Sequence, residues 1–507
     1  MTRDAALAAL LLAFVASACS RAAEPPNVLV ITIDTLRADR LSAATGAVRV
    51  TTPRLDELAR EGVLCTHAST PRAKTTPALA SLMTGLEPHA HGVRDLMQPL
   101  ALGHATLAER LRDAGWDTGA IVANYVLQAR YSGLERGFAQ WTEDLPDAQR
   151  VPPEDVPERR AASVTDGALR ALGLAQGPAA SAGPQERFTR DGKPWFLWLH
   201  YMDPHGSYAP PDEHRVFRSD APELVPPASP RQFVAEYNAP PETRDAQGRI
   251  DAAKVKDLYD GEVRYVDAEI GRLLDALRAA GELDRTLLVV TSDHGESFGE
   301  HDYWFEHGRD AYEACLRVPL VVRFPANTTA RPAGGRCAAD IALADLAPTL
   351  LDALGLPPLH ARRSGDPSRG VSRLPELLGV RPRPRPVLGE KLDRFNSPNT
   401  VQHKCVRIGD WKLVQRWALV AEPGGRQPAM HLLAEELYDL AADPREEADL
   451  RAAPPGTAPL TELRAVLATS IAADERFASV AGELERLRAE LEARDPAAAR
   501  VLQGLGY

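Results

Sequence analysis

The sequence predicts an α/β fold in which a large mixed or parallel sheet is flanked by helices and followed by a smaller C-terminal α+β subdomain. Apolar runs over residues 27–33, 195–199 and 286–292 have the composition of buried parallel strands. Apolar side chains recur at helical spacing from Val255 to Leu277 and predict a long amphipathic helix. Strands and helices alternate through this region, which is typical of a sheet covered by helices.

Length and charge limit the classes of function. The 507 residues exceed one ordinary domain, so we expect a large domain and a smaller one. Apolar residues make up 44% and charged residues 25%, a balance typical of globular proteins rather than of disordered or membrane-spanning ones. The net charge of -11 disfavours nucleic acid as a partner, because such a surface repels phosphates. The negative net charge does not exclude a small anionic substrate, because a binding site can be locally positive in a protein that is negative overall.

Composition also divides the chain into segments. Residues 26–360 carry the alternating strands and helices and form the predicted main domain. Residues 361–385 are rich in Arg and Pro and are predicted to be a linker. Residues 386–507 form the predicted C-terminal subdomain, in which Cys405–Leu413 and Glu436–Leu440 read as strands. The charged tail at the end of this subdomain has the pattern of a solvated helix.

The N-terminus has the pattern of an export signal. A short apolar run, too short to span a bilayer, predicts a signal peptide over residues 1–18. Residues 16–19 (ASAC) resemble a bacterial lipobox, which predicts a lipid on Cys19. The protein would then be exported to the periplasm or anchored as a lipoprotein in the outer membrane of a bacterium. Ordinary cleavage after Ala18 or Ala23 is the alternative.

The remaining four cysteines show no spacing typical of a metal site. They are Cys65, Cys315, Cys337 and Cys405. An oxidising compartment would permit disulfides between them, but sequence cannot pair them. Buried free thiols are the simpler interpretation.

Acidic residues follow two of the predicted strands. Asp34 follows the first, and Asp293 with His294 follows the strand that ends at Ser292. The carboxyl ends of parallel strands share one edge of a sheet, so we expect these side chains to converge. Carboxylate and imidazole ligands suit a divalent cation such as Mn²⁺ or Zn²⁺, and a site with more oxygen ligands would suit Ca²⁺ or Mg²⁺. Taken singly, a strand-end Asp often caps the next helix.

Hydroxyl side chains precede a helix that we predict over residues 77–83. Thr75 and Thr76 lie just before Pro77, where backbone amides and the helix dipole favour an anion. A hydroxyl beside a metal would also be activated as a nucleophile. The alternative is structural, with Thr75 or Thr76 only capping the first turn.

These segments, with several others in the same order, resemble the sulfatase family of the alkaline phosphatase superfamily. No single segment is specific, but the ordered set is, and it covers most of the chain from residue 26 to the end. The matching segments are Asn27–Asp39 (NVLVITIDTLRAD), Thr75–Gly85 (TTPALASLMTG), Trp198–Tyr208 (WLHYMDPHGSY), Tyr265–Leu274 (YVDAEIGRLL), Thr286–Glu300 (TLLVVTSDHGESFGE), Phe305–Leu320 (FEHGRDAYEACLRVPL), Cys405–Leu413 (CVRIGDWKL), Leu437–Pro444 (LYDLAADP) and Leu505–Tyr507 (LGY).

The resemblance implies an ester hydrolase that depends on one divalent metal ion, Ca²⁺, Mn²⁺ or Zn²⁺. Asp34, Asp293 and His294 match the family's metal-ligand positions. Thr75 matches the nucleophile position, by its distance from Gly85, and would also contact the metal. The implied partner is a small-molecule or glycan ester of sulfate or phosphate.

The resemblance also implies residues that bind the substrate. His205 and His307 match positions where the family binds the ester oxygens or protonates the leaving group. Lys74 is a further candidate for binding the anionic group, because it precedes the nucleophile position. Weaker candidates, for which a structural hydrogen bond is as good an interpretation, are Arg37, His200 and Asp203.

The chain departs from the formylglycine-dependent sulfatases in this region. Those carry Cys or Ser, any residue, Pro, any residue and Arg, whereas this chain has Thr75 and Leu79 at the two ends of that window. Thr does not yield formylglycine by that route, so we expect none. Thr35 stands where many sulfatases have a second metal-binding Asp. Lys74 and Arg72 lie nearby and would supply the charge of the missing Arg.

Three functions therefore stay open at the level of sequence. The first is hydrolysis of sulfuric esters, which the overall resemblance favours. The second is a phosphomonoester or phosphodiester hydrolase or phosphotransferase, because Thr75 resembles the nucleophile of nucleotide phosphodiesterases and lipoteichoic acid synthases. The third is a binding protein that retains the metal without catalysis.

Overall fold

The computed structural model of the protein describes most of the chain between residues 24 and 477. The described residues are 24–45, 49–145, 159–175, 187–189, 192–225, 239–328, 335–360, 368–392, 401–420, 429–474, 477 and 493. The predicted signal peptide and Cys19 lie outside these residues, as do most of the helical tail and part of the predicted linker.

The described residues contain sixteen strands in four sheets. They are β1 (Asn27–Ile33), β2 (Val63–Cys65), β3 (Ala68–Ser69), β4 (Asp117–Val122), β5 (Gln140–Thr142), β6 (Trp195–Tyr201), β7 (Thr286–Ser292), β8 (Ser297–Phe298), β9 (Trp304–Glu306), β10 (Leu320–Arg323), β11 (Gly335–Cys337), β12 (Ile341–Ala342), β13 (Pro386–Lys391), β14 (Val401–Ile408), β15 (Trp411–Val420) and β16 (Ala429–Asp439).

The main sheet has eight strands in the order β11-β2-β10-β7-β1-β6-β4-β5. Central strand β1 pairs in parallel with β6 on one side and β7 on the other. Ile33 is opposite Tyr201 in one pair and Ser292 in the other, so the three strands end at the same level. Strand β10 runs antiparallel to both of its neighbours, which makes the sheet mixed.

Twelve α-helices are described in the same part of the chain. They are α1 (Ser42–Thr45), α2 (Pro53–Glu61), α3 (Thr75–Thr84), α4 (Pro88–His91), α5 (Leu107–Asp113), α6 (Ala129–Ser132), α7 (Ala161–Ala171), α8 (Ala252–Ala279), α9 (Glu313–Leu316), α10 (Leu346–Ala353), α11 (Leu374–Leu377) and α12 (Leu460–Ala473). None of the helices seen in the described residues has both the length and the apolarity to cross a membrane.

Helices cover both faces of the main sheet. Successive residues of a strand point to opposite faces, and the central strands are apolar on both. Val28 and Val30 of β1 join a core cluster that includes α3, α5 and α10. Leu29 and Ile31 join a second cluster, formed with α2, α7 and the long helix α8. The predicted α/β fold is confirmed, including the flanking helices.

The C-terminal sheet is antiparallel, in the order β13-β14-β15-β16. One face packs on α12 through a cluster that includes Leu413, Leu437 and Leu463. The other face packs on the main part of the chain through Cys405 and Tyr312. This small sheet with its helix matches the predicted α+β subdomain.

Several predicted element boundaries differ from those observed. The segment 405–413 is not one strand, because Gly409 takes a positive φ of 58° and turns the chain between β14 and β15. The apolar pattern of residues 341–354 predicts one helix, but the helix begins only at Leu346, after the short strand β12. The apolar pattern of residues 318–324 predicts one strand, of which only Leu320–Arg323 is a strand in the structure. The clearest of these differences has a local cause, since Gly409 followed by Asp410 is a turn signal that separates β14 from β15.

A buried ion-pair network joins the C-terminal sheet to the main part of the chain. Lys412 of β15 is 1% exposed, and its Nζ lies 2.9 Å from Glu313 and 2.8 Å from Glu446. Burial opposes the charge on Lys412, but these two carboxylates hold its pKa well above the usual value. Glu446 also accepts a hydrogen bond from the backbone amide of Glu313 at 2.6 Å.

We predict that Lys412→Met destabilises the protein by about 3–5 kcal/mol, because it leaves two buried carboxylates without a cation. Urea unfolding at neutral pH measures this change. Lys254→Met is the matched control, since its side chain is 52% exposed and lies 3.8 Å from Asp251. The control should change the unfolding free energy by less than about 1 kcal/mol. Equal effects of the two substitutions would show that the buried network contributes no more to stability than an exposed ion pair does.

Candidate active site

The candidate site lies where the central strands of the main sheet end. Asp34 follows β1 and Asp293 follows β7, and both side chains are fully buried. The shared register of β1 and β7 brings the two carboxylates to the same edge of the sheet. The ends of these two strands therefore converge in the structure, as the sequence predicts.

The turn after β1 has an unusual backbone conformation. Thr35 has a φ of 52°, a region that a β-branched residue rarely adopts. The Tyr259 hydroxyl of α8 donates to the Thr35 carbonyl at 2.8 Å and accepts from the Arg37 amide at 3.0 Å. The Thr35 amide donates to Asp293 Oδ1 at 3.3 Å. The long helix thus fixes a strained turn that links the two strand ends.

The turn after β7 is fixed by backbone contacts. Ser292 Oγ donates to the Ile33 carbonyl at 2.7 Å, and the His294 amide donates to Asp293 Oδ1 at 2.8 Å. A Cβ at Gly295 would lie 2.2 Å from the Ala314 carbonyl oxygen, so the close approach requires glycine. His294 Nδ1 lies 3.0 Å from the Gly295 carbonyl oxygen. If Nδ1 donates to that oxygen, Nε2 is left as the basic nitrogen.

Three buried atoms of the candidate metal ligands have no hydrogen-bond partner among the described residues. They are Asp34 Oδ1, Asp293 Oδ2 and His294 Nε2. His294 Nε2 lies 3.4 Å from Asp293 Oδ2 and 3.9 Å from Asp34 Oδ1. Buried polar atoms without partners are costly in proteins, and this set of two carboxylate oxygens and one imidazole nitrogen is a donor set for a divalent metal. The residues present therefore fit the predicted cation.

The charges of the two carboxylates support the same interpretation. Burial and the neighbouring Asp34 charge raise the pKa of Asp293 to about 7, although His294 and the Thr75 hydroxyl oppose the rise. Burial also opposes the charge of Asp34, but a hydrogen bond with His200 and the nearby histidines keep its pKa well below the usual value. Burial lowers the pKa of His294, which favours the neutral imidazole that binds metals. A cation here would relieve the repulsion between the carboxylates.

A second histidine lies beside the same carboxylates. Asp34, His200 and Asp293 each offer a ligand atom within 4.8 Å of one another, so the described residues contain a possible metal-binding triad. His200 Nε2 is 3.2 Å from Asp34 Oδ2, and its Nδ1 is 2.9 Å from Thr32 Oγ1. Both nitrogens of His200 therefore lie within hydrogen-bonding distance of a polar atom, whereas His294 Nε2 has no hydrogen-bond partner among the described residues. This geometry favours His294 as the ligand and His200 as the residue that orients Asp34.

Thr75 is the first residue of α3, two residues earlier than the predicted start of that helix. Its Oγ1 lies 3.5 Å from Asp34 Oδ2, and the side chain is almost completely buried. Lys74 occupies the N-cap position, and no side chain caps the helix. Neither Thr75 nor Thr76 therefore caps the first turn of α3, as the purely structural interpretation would require.

The nearby cations already have acidic partners. Lys74 Nζ lies 2.6 Å from Asp95 Oδ1, and its carbon chain passes beside Gly308. Arg72 Nη2 donates to the Leu392 carbonyl at 2.6 Å, and Nη1 lies 3.6 Å from Glu390. Lys74 is therefore close to the residue after His307, whereas Arg72 faces the C-terminal sheet.

The two predicted substrate-binding histidines lie together beside the metal candidates. The ring of His307 is 4.3 Å from the ring of His294 and 5.3 Å from the ring of His205, between centroids. Burial lowers the pKa of His307 to about 4. Glu296 connects to this group, since its Oε1 is 3.1 Å from His307 Nδ1 and its Oε2 accepts from the Tyr208 hydroxyl at 3.0 Å. Burial raises the pKa of Glu296 to about 7.

The weaker candidates Arg37 and Asp203 have structural partners. Arg37 donates to both carboxylate oxygens of Asp39, at 2.9 and 2.7 Å, and to the Glu296 carbonyl at 2.6 Å. Asp203 accepts from the Ala161 amide at 2.7 Å and lies 3.1 Å from Arg160. These contacts hold the loops that carry the site.

Three further residues contact the site and are not among the predicted site residues. Asn124 follows β4, and its Nδ2 donates to Asp34 Oδ2 at 2.7 Å. Its position at the end of a strand was a usable signal, since Asp34 and Asp293 stand at equivalent points. Tyr259 and Glu296 gave weaker signals, because one lies in a helix and the other follows the His294–Gly295 pair without a strand of its own.

The profile of the Sulfatase family matches residues 26–356 of this chain. The chain belongs to the sulfatase family. The resemblance predicted from the ordered motifs is confirmed, and the family with its sulfatase relatives identifies the chain as a sulfuric ester hydrolase.

Two curated relatives match over most of their length. An N-acetylglucosamine-6-O-sulfatase of Bacteroides thetaiotaomicron is 25% identical, over 87% of this sulfatase and 85% of the relative. A choline-sulfatase of Rhizobium meliloti is 26% identical, over 85% of this chain and 83% of the relative.

Solved structures share the fold. A protein solved in complex with its substrate D-glucosamine-2-N,6-O-disulfate has a TM-score of 0.67 at 21% identity, over 90% of this chain and 99% of that one. A phosphonate monoester hydrolase of Agrobacterium radiobacter has a TM-score of 0.61 at 24% identity, over 92% and 96%. At these identities the similarity establishes the fold of this sulfatase alone.

We predict that His294→Ala removes most of the divalent metal that the protein binds, because it deletes the imidazole nitrogen left without a partner. His200→Ala is the comparison, and it should weaken metal affinity only by about 10–100-fold, as expected for a residue that orients a ligand. Equilibrium dialysis against Mn²⁺ and Zn²⁺ followed by elemental analysis measures both. If only the His200 variant lost its metal, His200 would be the metal ligand and His294 would not.

Proposed function

We propose that this sulfatase hydrolyses sulfuric esters of a sugar or of a comparably small organic group, with Thr75 as its nucleophile. One observation carries the proposal: the Thr75 hydroxyl, two buried carboxylates and an unpartnered imidazole nitrogen all meet at the ends of β1 and β7. The sulfated sugars and choline sulfate named for similar proteins support a small organic sulfate as substrate.

Asp34, Asp293 and His294 would hold one divalent cation. When bound, such an ion polarises the ester oxygen and lowers the pKa of a neighbouring hydroxyl. The strained turn at Thr35 and the close packing at Gly295 keep the ligands in place without substrate. Such preorganisation matters because ligands that need not move cost no reorganisation during the reaction.

The Thr75 hydroxyl would attack sulfur in line with the departing oxygen. A bond forms between Thr75 Oγ1 and sulfur, and the bond from sulfur to the substrate oxygen breaks. The Thr75 proton leaves towards the adjacent carboxylates, of which Asp34 Oδ2 lies 3.5 Å away. The backbone amides at the start of α3 face the same region and would stabilise the negative oxygens of the sulfuryl group. Water then cleaves the covalent sulfate ester and restores the hydroxyl.

The two histidines would act on the other side of the sulfuryl group. His205 is less buried than His307 and would donate the proton that the departing oxygen needs. His307 and Lys74 would bind the equatorial oxygens, since the Lys74 chain passes beside Gly308. Glu296 would orient His307 through its Nδ1.

A phosphoester substrate is the second candidate. Thr75 and Leu79 favour it, because the formylglycine-dependent sulfatases carry Cys or Ser and Arg at these positions. The family and the sulfatase relatives favour the sulfate ester. We further propose that residues 1–18 direct export, with Cys19 as the site of a lipid, because the N-terminal pattern supports a signal of that type.

We predict that Thr75→Val lowers the turnover of an aryl sulfate by at least about 1,000-fold, because the variant keeps the shape of the side chain but removes the nucleophilic oxygen. Thr76→Val is the matched control, since it makes the same change one residue further along the helix. The purified proteins are assayed on an aryl sulfate, an aryl phosphate and a bis-aryl phosphodiester with the metal in excess.

Each substrate separates one candidate from the others. Faster turnover of the aryl sulfate supports the first function, and faster turnover of a phosphoester replaces it with the second. Bound metal with no turnover of any substrate would favour a binding protein. Equal losses in the Thr75 and Thr76 variants would remove Thr75 from the mechanism. A sulfated Thr75 peptide, trapped by rapid quenching and found by mass spectrometry, would identify the covalent intermediate directly.

A further inference from the structure

Two cysteines far apart in the sequence are neighbours at the edge of the main sheet. Strand β11 pairs in parallel with β2, and Cys337 is directly opposite Cys65 in that pair. The Thr66 amide donates to the Cys337 carbonyl at 2.9 Å, which fixes the register at this point. Directly opposed residues of neighbouring strands project their side chains to the same face of the sheet. The two thiols therefore lie side by side.

The surroundings of the pair keep the sulfur atoms together. Cys65 is 3% exposed and Cys337 is 5% exposed, and both belong to the core cluster on one face of the sheet. Contact with the Cys337 thiol raises the pKa of Cys65, and the same contact lowers the pKa of Cys337 to about 7. One member of the pair thus has the thiolate character that thiol–disulfide exchange needs.

We propose that Cys65 and Cys337 form a disulfide that links the edge strand β11 to β2. Cα atoms of opposed residues in a sheet are separated by a distance that a disulfide can bridge. Strand β11 has three residues and β2 as its single neighbour in the sheet, so a small shift of its backbone can bring the sulfurs into bonding distance. The bond would close a very long loop of the chain.

The chemistry requires an oxidant of the disulfide class. The thiolate of Cys337 attacks one sulfur of a small-molecule disulfide such as oxidised glutathione, and one glutathione thiolate leaves. The Cys65 thiolate then attacks the mixed disulfide at the Cys337 sulfur and releases the second glutathione. Two thiols of the protein are oxidised, and one oxidised glutathione is reduced to two thiols. Export to an oxidising compartment would supply such an oxidant.

The other two described cysteines provide a matched comparison. Cys315 and Cys405 are also buried thiols, and both belong to the cluster between the C-terminal sheet and the main part of the chain. They are not opposed in any pair of strands among the described residues. Burial, rather than a thiol neighbour, is the main cause that raises the pKa of each of them.

Oxidation of the full chain tests whether this disulfide forms. One sample is incubated in a buffer with excess oxidised glutathione. A second sample is refolded from urea in the same buffer, so that burial of the two thiols cannot keep the oxidant from reaching them. After alkylation of the remaining thiols, peptide mass spectrometry should find one linked peptide joining Cys65 to Cys337, with the loss of two hydrogen atoms. The thermal midpoint should rise by several degrees, and dithiothreitol should reverse the rise.

Variants test whether the rise in thermal midpoint depends on Cys65 and Cys337. Cys65→Val with Cys337→Val should abolish the difference in midpoint between oxidised and reduced protein. Cys315→Val with Cys405→Val should keep that difference and the linked peptide. Alkylation of both Cys65 and Cys337 in the two oxidised samples would overturn the proposal, as would a linked peptide that joins either one to another cysteine. The peptide result stands on the unaltered chain, so it holds even where a variant fails to fold.

Discussion

Two buried negative charges at neighbouring strand ends are the constraint on which the rest of the site depends. Asp34 and Asp293 lie in a fully buried region, where charge repulsion is screened far less than in water. The protein offsets part of this cost with hydrogen bonds from Asn124 and from the backbone amide of Thr35. One oxygen of each carboxylate still has no partner. A divalent cation held by these oxygens would complete the balance, and the sulfatase family depends on such a metal.

The fold explains why such a costly arrangement persists. The equal register of β1, β6 and β7 brings three loops to one edge of the sheet, and the long helix α8 fixes the first loop through Tyr259. Because strands and helix belong to two large apolar clusters, the site cannot relax without disturbing the core. The stability of the scaffold thus supports strain at the site, as the positive φ of Thr35 illustrates.

The sequence predicted the parts of this arrangement that depend on period and position. Apolar runs ending in Asp34 and Asp293 gave the strands and, through the rule for parallel sheets, the convergence of the acids. The sequence could not predict contacts set by packing alone, such as those of Glu296 with His307 and Tyr208. The turn at Gly409 was missed although Gly409 followed by Asp410 is a turn signal, because apolar residues such as Ile408 and Trp411 recur on both sides of that pair.

Leu79 shows how a departure from the family pattern fits the packing of this chain. It lies one helical turn after Thr75, is fully buried, and belongs to the apolar cluster that contains Val28. An arginine there would bring a guanidinium into this cluster, which would require an acidic partner or an opening to solvent. The formylglycine sulfatases carry an arginine four residues after their modified residue, at the position of Leu79 in this chain. Apolar packing takes the place of that charge here, and Lys74, already paired with Asp95, is the cation adjacent to Thr75 in the chain.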